Sequence, residues 1–219
     1  MYHELRKRGT SADPPPDCPR CPRLVAFRHV WREREPTWFN APVPSFGARE
    51  ARLLIVGLAP GVQGANRTGR PFTGDYAGVL LYDTLIRYRF ARGAYAAHPD
   101  DGLALIDCRI SNAVRCVPPE NKPVGAEIAA CRTFLRACID EMPKLSAVVA
   151  LGRIAHDSVL AALDVKRAQA KFGHGGVHAL GPLALFDSYH CSRYNTNTGV
   201  LSPEMFRAVF AAVRRHLDR

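Results

Sequence analysis

The chain has 219 residues, of which 47% are hydrophobic and 23% are charged, a composition that supports a buried core and excludes an intrinsically disordered protein. Lysine and arginine number 30 against 20 acidic residues, and the net charge of +10 favours a polyanionic partner, nucleic acid first, although a GC-rich genome or adaptation to heat would also raise the arginine content. No apolar run approaches the roughly 20 residues that cross a bilayer, and the basic start lacks a secretory signal, so we expect a cytoplasmic protein with no membrane partner.

The first 50 residues are rich in proline and arginine and contain one predicted helix, at residues 24–34. We interpret residues 1–50 as an N-terminal segment that wraps around the rest of the molecule. We expect a single domain that spans residues 1–219 and functions as a monomer.

Beyond residue 50, short apolar runs alternate with amphipathic stretches. The runs predict strands and the stretches predict helices. The predicted strands are residues 53–56, 109–114, 147–151 and 183–188, and the predicted helices are residues 78–90, 125–142, 154–163 and 203–217. This alternation predicts an α/β sandwich with a largely parallel sheet. Because ligands of such sheets bind beyond the carboxyl ends of the strands, the loops after the four strands are predicted to line one cleft.

Seven cysteines occur in a chain without an export signal, which favours metal binding or packing over a disulfide framework. Cys18 and Cys21 form a C-x-x-C pair between prolines, a spacing that lets two thiolates bind one centre. Cys116 precedes the loop VPPENKPVG, and Cys131 lies in the first turns of the helix after it. We predict a metal site on these four cysteines, for which zinc and an iron-sulfur cluster are both suitable, with a metal-free C-x-x-C as the alternative. The other cysteines are predicted to pack in the core: Cys108, Cys138 and Cys191.

The loop after the first predicted strand, GLAPGVQGANRTGRPFTGDYAG, contains six glycines and two prolines. Glycine lets the backbone approach a ligand closely and present N–H groups to it. The loop lacks the G-K-[ST] of a P-loop and the dinucleotide fingerprint, so it gives no support for a nucleoside triphosphate or nicotinamide site. We expect it to contact a ligand of another kind.

Three polar side chains from three different loops are predicted to reach the cleft: Asp75, Asn112 and His190. Each has a structural alternative, respectively a helix N-cap, a turn residue at a strand end and a buried core histidine. Their predicted convergence at one edge of the sheet is what favours a functional role.

Three blocks of sequence resemble the family 5 uracil-DNA glycosylases, the UDGb type of the uracil-DNA glycosylase superfamily. The blocks are GLAPGVQGANRTGRPFTGD at residues 57–75, SNAVRCVPPENKP at residues 111–123 and HCSRYNTNTG at residues 190–199. With the cysteines they cover the chain from about residue 18 to residue 199 in the order of the family. The resemblance implies a three-layer α/β/α sandwich around a four-stranded parallel sheet. It also implies a 4Fe-4S cluster on Cys18, Cys21, Cys116 and Cys131.

The chain departs from the superfamily pattern at three points. Ala59 stands where many members have an aspartate that positions the attacking water, so another carboxylate has to serve. Gly61 stands where uracil-strict members have a tyrosine that excludes the methyl group of thymine, which implies a broader base range. The proline that usually follows the histidine is absent from HCSRYN.

The resemblance implies a DNA repair enzyme that flips uracil and other deaminated or damaged bases out of DNA. The enzyme hydrolyses the N-glycosidic bond and leaves an abasic site. We assign the attacking water to Asp75 and the departing base to His190, because these are two separate electrostatic tasks. The residues predicted to bind the base are Gly57, Ala59, Gly61, Phe72 and Asn112. Those predicted to bind DNA are Arg67, Arg70, Lys122, Ser192 and Arg193.

Alternatives remain open at this point. Phe72 could belong to the core, and the basic residues could be solvated surface charges. A non-catalytic iron-sulfur or zinc DNA-binding module would explain the charge and the cysteines, but it gives the glycine loop no role. An iron-sulfur electron carrier would explain the cysteines alone.

Overall fold

The computed structural model describes residues 12–219 of the chain. In chain order its helices and strands are α1 Pro22–Arg34, β1 Leu53–Gly57, α2 Ala65–Thr68, α3 Tyr76–Arg87, β2 Ala91–Arg92, β3 Ala104–Leu105, β4 Cys108–Asn112, α4 Gly125–Asp140, β5 Ala147–Leu151, α5 Arg153–Ala162, β6 Val177–Leu180, β7 Leu183–Ser188, α6 Arg193–Asn197 and α7 Pro203–Leu217. No helix in this part of the chain is long and apolar enough to cross a membrane.

The central sheet has five strands in the order β4-β1-β5-β7-β6. The first four are parallel, as predicted, and β6 adds to β7 in the antiparallel direction. The prediction of four strands is therefore one short. Strand β6 is only four residues long with alternately exposed side chains, so it lacks the apolar run that identified the buried strands.

Alternate residues of β1 face opposite sides of the sheet. Leu53 and Ile55 pack in a core with the apolar residues of α3 and α7, whereas Leu54 and Val56 pack with those of α4 and α5. Because successive side chains of a strand point to opposite faces, one fully buried strand serves both cores. The result is the predicted three-layer α/β/α sandwich.

Most boundaries lie within a few residues of the prediction, and α7 has the predicted bounds. The helix predicted to begin at residue 78 begins at Tyr76, because Asp75 caps it. The strand predicted to extend to residue 114 ends at Asn112.

The N-terminal segment contacts the body at several places, two of which concern the cysteines, and residues 1–11 of the predicted wrap lie outside the described residues. A third, small core joins Cys18 and Leu24 to Val114, Cys131 and Phe134. Next to it, the guanidinium group of Arg115 is 1% exposed and donates to Ala12 O, Val43 O and Ser45 Oγ, and it pairs with Asp13 at 3.0 Å.

Candidate active site

The four parallel strands bring the predicted site loops to one edge of the sheet. In the register of β1 and β4, Gly57 lies beside Asn112, and each is the last residue of its strand. Strands β5 and β7 end side by side at Leu151 and Ser188, and His190 follows two residues later. The glycine loop also leaves the sheet here, since it starts at Gly57.

Gly57, Phe72 and Asn112 are packed against one another at this edge. A Cβ atom on Gly57 would clash with Asn112 Oδ1 and lie 2.6 Å from Phe72 Cζ, so only glycine fits. Asn112 is 3% exposed, and its Oδ1 has no hydrogen-bond partner among residues 12–219. Leaving a buried acceptor unpaired costs about 1–3 kcal/mol. This oxygen is therefore available to a donor from outside the chain.

Phe72 and His190 form the second part of the pocket. Their ring centroids are 6.0 Å apart, with an interplanar angle of 28°. Phe72 also packs in the core. Its φ of +53° is unusual for a bulky residue. The hydroxyl group of Tyr95 donates to the carbonyl oxygen of Phe72 at 3.2 Å and supports the turn. Burial lowers the pKa of His190 to about 4, so its imidazole is neutral at pH 7 and keeps one N–H group for donation.

Asp75 has one carboxylate oxygen bound to helix α3 and one facing the glycine loop. Its Oδ1 accepts from Gly78 N at 3.2 Å, which confirms the N-cap alternative considered for this residue. Its Oδ2 lies against Gly61 and Gly64, where a Cβ on Gly61 would be 3.2 Å away and one on Gly64 would clash. Burial raises the pKa of Asp75, and the N–H groups of Gly78 and Ala77 oppose this rise.

The first turn of α3 also contacts the segment that carries His190. The thiol of Cys191 donates to Ala77 O at 3.5 Å. Asp75 and His190 thus belong to two segments in direct contact.

The structure contradicts the prediction that Arg70 binds DNA. Arg70 is 5% exposed, and its two terminal nitrogens donate to the carboxylate of Asp101 at 2.8 and 2.7 Å, while its Nε donates to Thr73 Oγ1 at 2.7 Å. Hydrogen bonding from Arg70 holds the pKa of Asp101 well below its ordinary value. The guanidinium group is occupied and buried, so it holds the glycine loop in place instead of binding a phosphate.

Sequence analysis missed two residues that shape this loop, Tyr95 and Asp101. The hydroxyl group of Tyr95 accepts from Gly74 N at 3.2 Å, in addition to its bond with Phe72. Both residues lie in a stretch with no helical or strand periodicity. The only signal that could have found Asp101 is the need of a buried arginine for a carboxylate partner.

The remaining predicted DNA contacts lie on three segments around the pocket. Arg67, Lys122 and Arg193 are exposed, and the guanidinium group of Arg193 lies over the ring of Tyr76 at 5.2 Å. Ser192 is partly buried and caps α6, where its hydroxyl group accepts from the main chain. Their contact with phosphates stays a prediction.

The four cysteines predicted to bind a metal line one cavity. One main-chain N–H group and one guanidinium group approach their sulfur atoms. Arg115 N donates to Cys131 Sγ at 3.3 Å, and Arg28 Nη1 lies 3.9 Å from Cys116 Sγ. Burial raises the pKa of Cys116 to about 12. A set of buried thiols becomes thiolates only with a compensating cation, and this donor set fits a bound metal group. The other three cysteines, Cys108, Cys138 and Cys191, lie in the two main cores, as predicted.

Comparison with known proteins agrees with the fold and the pocket. The sequence profile of the uracil DNA glycosylase superfamily matches residues 44–214. The chain therefore belongs to the uracil DNA glycosylase superfamily, and two Type-5 uracil-DNA glycosylases match it over about nine-tenths of its length. The Type-5 uracil-DNA glycosylase of Thermus thermophilus is 44% identical over 90% of this chain and 93% of its own length, and that of Pyrobaculum aerophilum is 38% identical over 88% of this chain and 86% of its own. A Type-4 uracil-DNA glycosylase of Thermotoga maritima is 37% identical over only 50% of this chain and 49% of its own length. Within the superfamily, this chain groups with the type-5 proteins.

Proposed function

We propose that the chain hydrolyses the N-glycosidic bond of uracil in DNA and leaves an abasic site, as a base excision repair enzyme. The observation that carries this function is the open oxygen of Asn112, buried beside Phe72 and near His190 where the parallel strands end. Membership of the superfamily and the names of the type-5 relatives support it. A non-catalytic binding module would leave an unpaired buried acceptor without an explanation.

Asn112 suits the recognition of uracil in a flipped conformation. Uracil carries a donor at N3 and an acceptor at O4, and a side-chain amide offers the complementary acceptor and donor. Cytosine carries an acceptor at N3 and an amino group at C4, so it would place like groups opposite each other. A buried site built for one hydrogen-bond pattern rejects the mismatched analogue strongly. Phe72 supplies an aromatic face for stacking.

His190 is placed to stabilise the departing base. The uracil leaves as an anion, with negative charge developing on its carbonyl oxygens. A neutral imidazole near this position donates its N–H group to such an oxygen, and a positioned donor in a site sheltered from water lowers the barrier. The N–H groups of the glycine loop are further donors from the same edge of the sheet.

Asp75 is proposed to orient the attacking water. Ala59 has no group that could do so, whereas Asp75 Oδ2 faces Gly61 and Gly64 in the glycine loop. An ionised carboxylate here accepts a proton from the water and opposes the positive charge that develops on the sugar. Its other oxygen stays on the cap of α3, which keeps the carboxylate in place.

Gly61 leaves room in the pocket for bases other than uracil, and we propose hypoxanthine and other deaminated bases as substrates. A Cβ at this position would lie 3.2 Å from Asp75 Oδ2, so a large side chain would disturb the carboxylate as well as narrow the pocket. The base range is therefore best measured on the unaltered protein. Cleavage of uracil but of no other deaminated base would show that another group closes the site.

We further propose that Cys18, Cys21, Cys116 and Cys131 hold a 4Fe-4S cluster that ties the N-terminal segment to the region after β4. The cluster would supply structural cross-linking and no step of the hydrolysis. Purified protein should contain about four irons per chain, from the ligation pattern. Cys116→Ala should lose the iron, whereas Cys138→Ala, a buried cysteine in another core, should retain it. Zinc in place of iron, or iron retained without Cys116, would contradict the assignment.

The DNA partner is proposed to lie across the exposed side chains around the pocket. Arg67, Lys122 and Arg193 would neutralise phosphates on both sides of the flipped nucleotide, and Ser192 would donate from its hydroxyl group. These contacts position DNA without selecting a sequence. We propose that one copy of the chain suffices for the reaction.

The test of the proposed function is a single-turnover reaction with a duplex oligonucleotide that contains one uracil, followed by alkaline cleavage at abasic sites. A duplex with cytosine at the same position is the matched control. We expect strand cleavage at uracil alone in this pair. Tight DNA binding with no cleavage of any deaminated base would instead identify a non-catalytic module.

A further inference from the structure

We propose that His156, His178 and Asp187 form a second metal site, for a divalent cation of the zinc class, separate from the cysteines and from the pocket. The three residues come from α5, β6 and β7, respectively. One ligand atom of each lies within 4.8 Å of the other two. Imidazole nitrogen and carboxylate oxygen are ligands that zinc and neighbouring first-row metals prefer.

The distances in this cluster are short and the groups are buried. Asp187 Oδ1 lies 2.7 Å from His156 Nδ1, and Asp187 Oδ2 lies 3.0 Å from His178 Nε2. Asp187 is 0% and His156 is 1% exposed, whereas the side chain of His178 is 17% exposed. Within residues 12–219 the ionic contacts of Asp187 are with these two rings and with no lysine or arginine. A fully buried carboxylate requires a positive partner, and a metal cation bound by these three side chains would supply one.

The hydrogen bond of the second ring nitrogen of His156 shows which nitrogen of the imidazole is protonated. His156 Nε2 lies 3.0 Å from Ala170 O, and because a carbonyl oxygen only accepts, Nε2 carries the proton. A proton or a metal cation must then bridge Nδ1 and Asp187 Oδ1, which lie 2.7 Å apart. We propose that a metal takes the place of that proton, with a small separation of the two side chains. A carbonyl oxygen on the far nitrogen is also the usual outer partner of a metal-bound histidine.

The backbone packs closely against the cluster on the side of Gly176. A Cβ on Gly176 would lie 3.3 Å from His178 Nε2, 3.4 Å from Asp187 Oδ2 and 2.9 Å from Gly173 O, so only glycine fits there. A tetrahedral site on three side chains would take a water as its fourth ligand. Gly173 N donates to Asp187 Oδ2 at 3.3 Å and holds the carboxylate in orientation.

A cation at this position would link three elements just before the catalytic loop. It would join helix α5, the edge strand β6 and the end of β7, three residues before His190. We assign the cation a structural role, because within residues 12–219 the side chains of His156, His178 and Asp187 make no hydrogen bond to Asp75, Asn112 or His190.

The experiment uses the full-length protein with its cysteine centre loaded, so that the cysteines do not compete for the probe. Each protein is incubated with Zn²⁺ and desalted, its zinc content is measured, and the shift in Tm with added Zn²⁺ is recorded. We expect about one zinc per chain for the wild type, in keeping with a single tetrahedral site. His178→Ala, the most exposed ligand, should lose the zinc and the Tm shift, with an affinity loss larger than the roughly 10–100-fold that removal of an outer partner causes. His98→Ala removes an exposed histidine outside the cluster and should behave like the wild type.

Two outcomes would overturn the proposal. Failure of the wild type to take up zinc would show that the three side chains share protons and hold no metal. Equal zinc uptake by the wild type and His178→Ala would place the zinc elsewhere in the chain. His178→Gln keeps most of the side-chain volume and serves as a second variant if His178→Ala does not fold; zinc bound by it as tightly as by the wild type would likewise contradict the site.

Discussion

The pocket at the carboxyl ends of the strands and the cysteine region differ in how their buried polar groups are satisfied. In the cysteine region, Arg115 is 1% exposed, and its terminal nitrogens are bound by four groups of the N-terminal segment. In the pocket, Asn112 is 3% exposed and its Oδ1 has no partner among residues 12–219. Both side chains belong to one stretch of sequence, three residues apart. Arg115 Nε and Arg28 Nε also lack partners among residues 12–219, but Asn112 Oδ1 is the one acceptor among the buried unpaired side-chain atoms there, and it is the atom that we propose a ligand satisfies.

The two regions share one segment of the chain. Ala59 packs against the small core that contains Cys18 and Cys131, and it lies between Gly57 and Gly61 of the glycine loop. Loss of the cysteine centre would therefore loosen the start of the glycine loop as well as the N-terminal segment.

The largest expected effects are on catalysis by the pocket. Asp75→Asn and His190→Ala should each lower the single-turnover rate of uracil excision by about 10² to 10⁴, because each removes one positioned electrostatic or acid-base group. Asparagine also caps helices well, so Asp75→Asn removes the charge and keeps the acceptor for Gly78 N. Rates are measured by quenched-flow or manual sampling with enzyme in excess, and DNA binding is measured in parallel.

The Asp75→Asn variant distinguishes the two roles of this residue. An unchanged Tm with a large loss of rate would assign the loss to the carboxylate charge. A full rate in Asp75→Asn would reduce Asp75 to a helix cap and require a different group for the water.

The next effect contrasts two arginines of the glycine loop that sequence analysis could not tell apart. Arg70→Ala leaves the carboxylate of Asp101, which is 1% exposed, without its partner, and should lower the free energy of unfolding by about 3–5 kcal/mol. Arg67→Ala, at an exposed position on the same loop, should change it by less than about 0.5 kcal/mol. Chemical denaturation of both variants makes the comparison. Similar stability losses would show that Arg67 has a structural partner too.

The fold was largely predictable because its strongest signals are local. Buried parallel strands such as β1 and β5 are continuous apolar runs, and α7 begins after a serine cap with a proline in its first turn. Strand β6 was not predicted because a short, half-exposed edge strand lacks such a run. Its position depends on pairing with β7, which periodicity does not encode.

The residues that form the pocket were easier to predict than the surroundings of the charged side chains. Gly57, Phe72, Asn112 and His190 come together because parallel strands end at one edge, and this topology followed from the alternation of elements. The environment of a charged side chain depends on partners distant in sequence. Arg70 therefore could not be recognised as buried, since Asp101 lies 31 residues away. Sequence analysis missed the cluster of His156, His178 and Asp187 for the same reason.

The open oxygen of Asn112 gives the third prediction. Asn112→Ala should reduce uracil excision by roughly 5- to 150-fold, the loss expected when about 1–3 kcal/mol of buried hydrogen bonding to the ligand disappears. The free protein should lose little stability, because the oxygen is already unpaired. Asn197→Ala, an exposed asparagine on α6, is the matched control and should retain the wild-type rate. A large loss of Tm in Asn112→Ala would indicate a structural role instead.

The fourth prediction concerns the protonation of His190. Burial lowers its pKa to about 4, whereas an ordinary histidine titrates near 6.5. In NMR spectra, its imidazole signals should stay at the neutral position from about pH 7.5 to about pH 5.5, with His190→Ala used to assign them. A midpoint near 6.5 would contradict a neutral donor in the pocket.

The same shift sets the sign of a stability effect. Between about pH 6.5 and about pH 4 the unfolded chain binds a proton at this residue and the folded chain does not. The free energy of unfolding should therefore fall as the pH falls through this window. His190→Ala should remove this contribution to the pH dependence.

The smallest expected effect is on DNA affinity at the rim of the pocket. Arg193 is exposed, and its guanidinium group is held over the ring of Tyr76, so it is placed to neutralise one phosphate. Arg193→Ala should lower affinity equally for duplexes with uracil and with cytosine, and it should reduce the slope of log affinity against log salt by about 0.9, the value for one phosphate contact. Arg87→Ala is the matched control, because Arg87 is also exposed but lies at the opposite end of α3 from Asp75 and Tyr76. Equal losses in both variants would mean that the excess positive charge acts through the whole surface. A loss confined to the uracil duplex would instead show that Arg193 contacts the flipped base, so that it would belong with the pocket residues that a ligand completes.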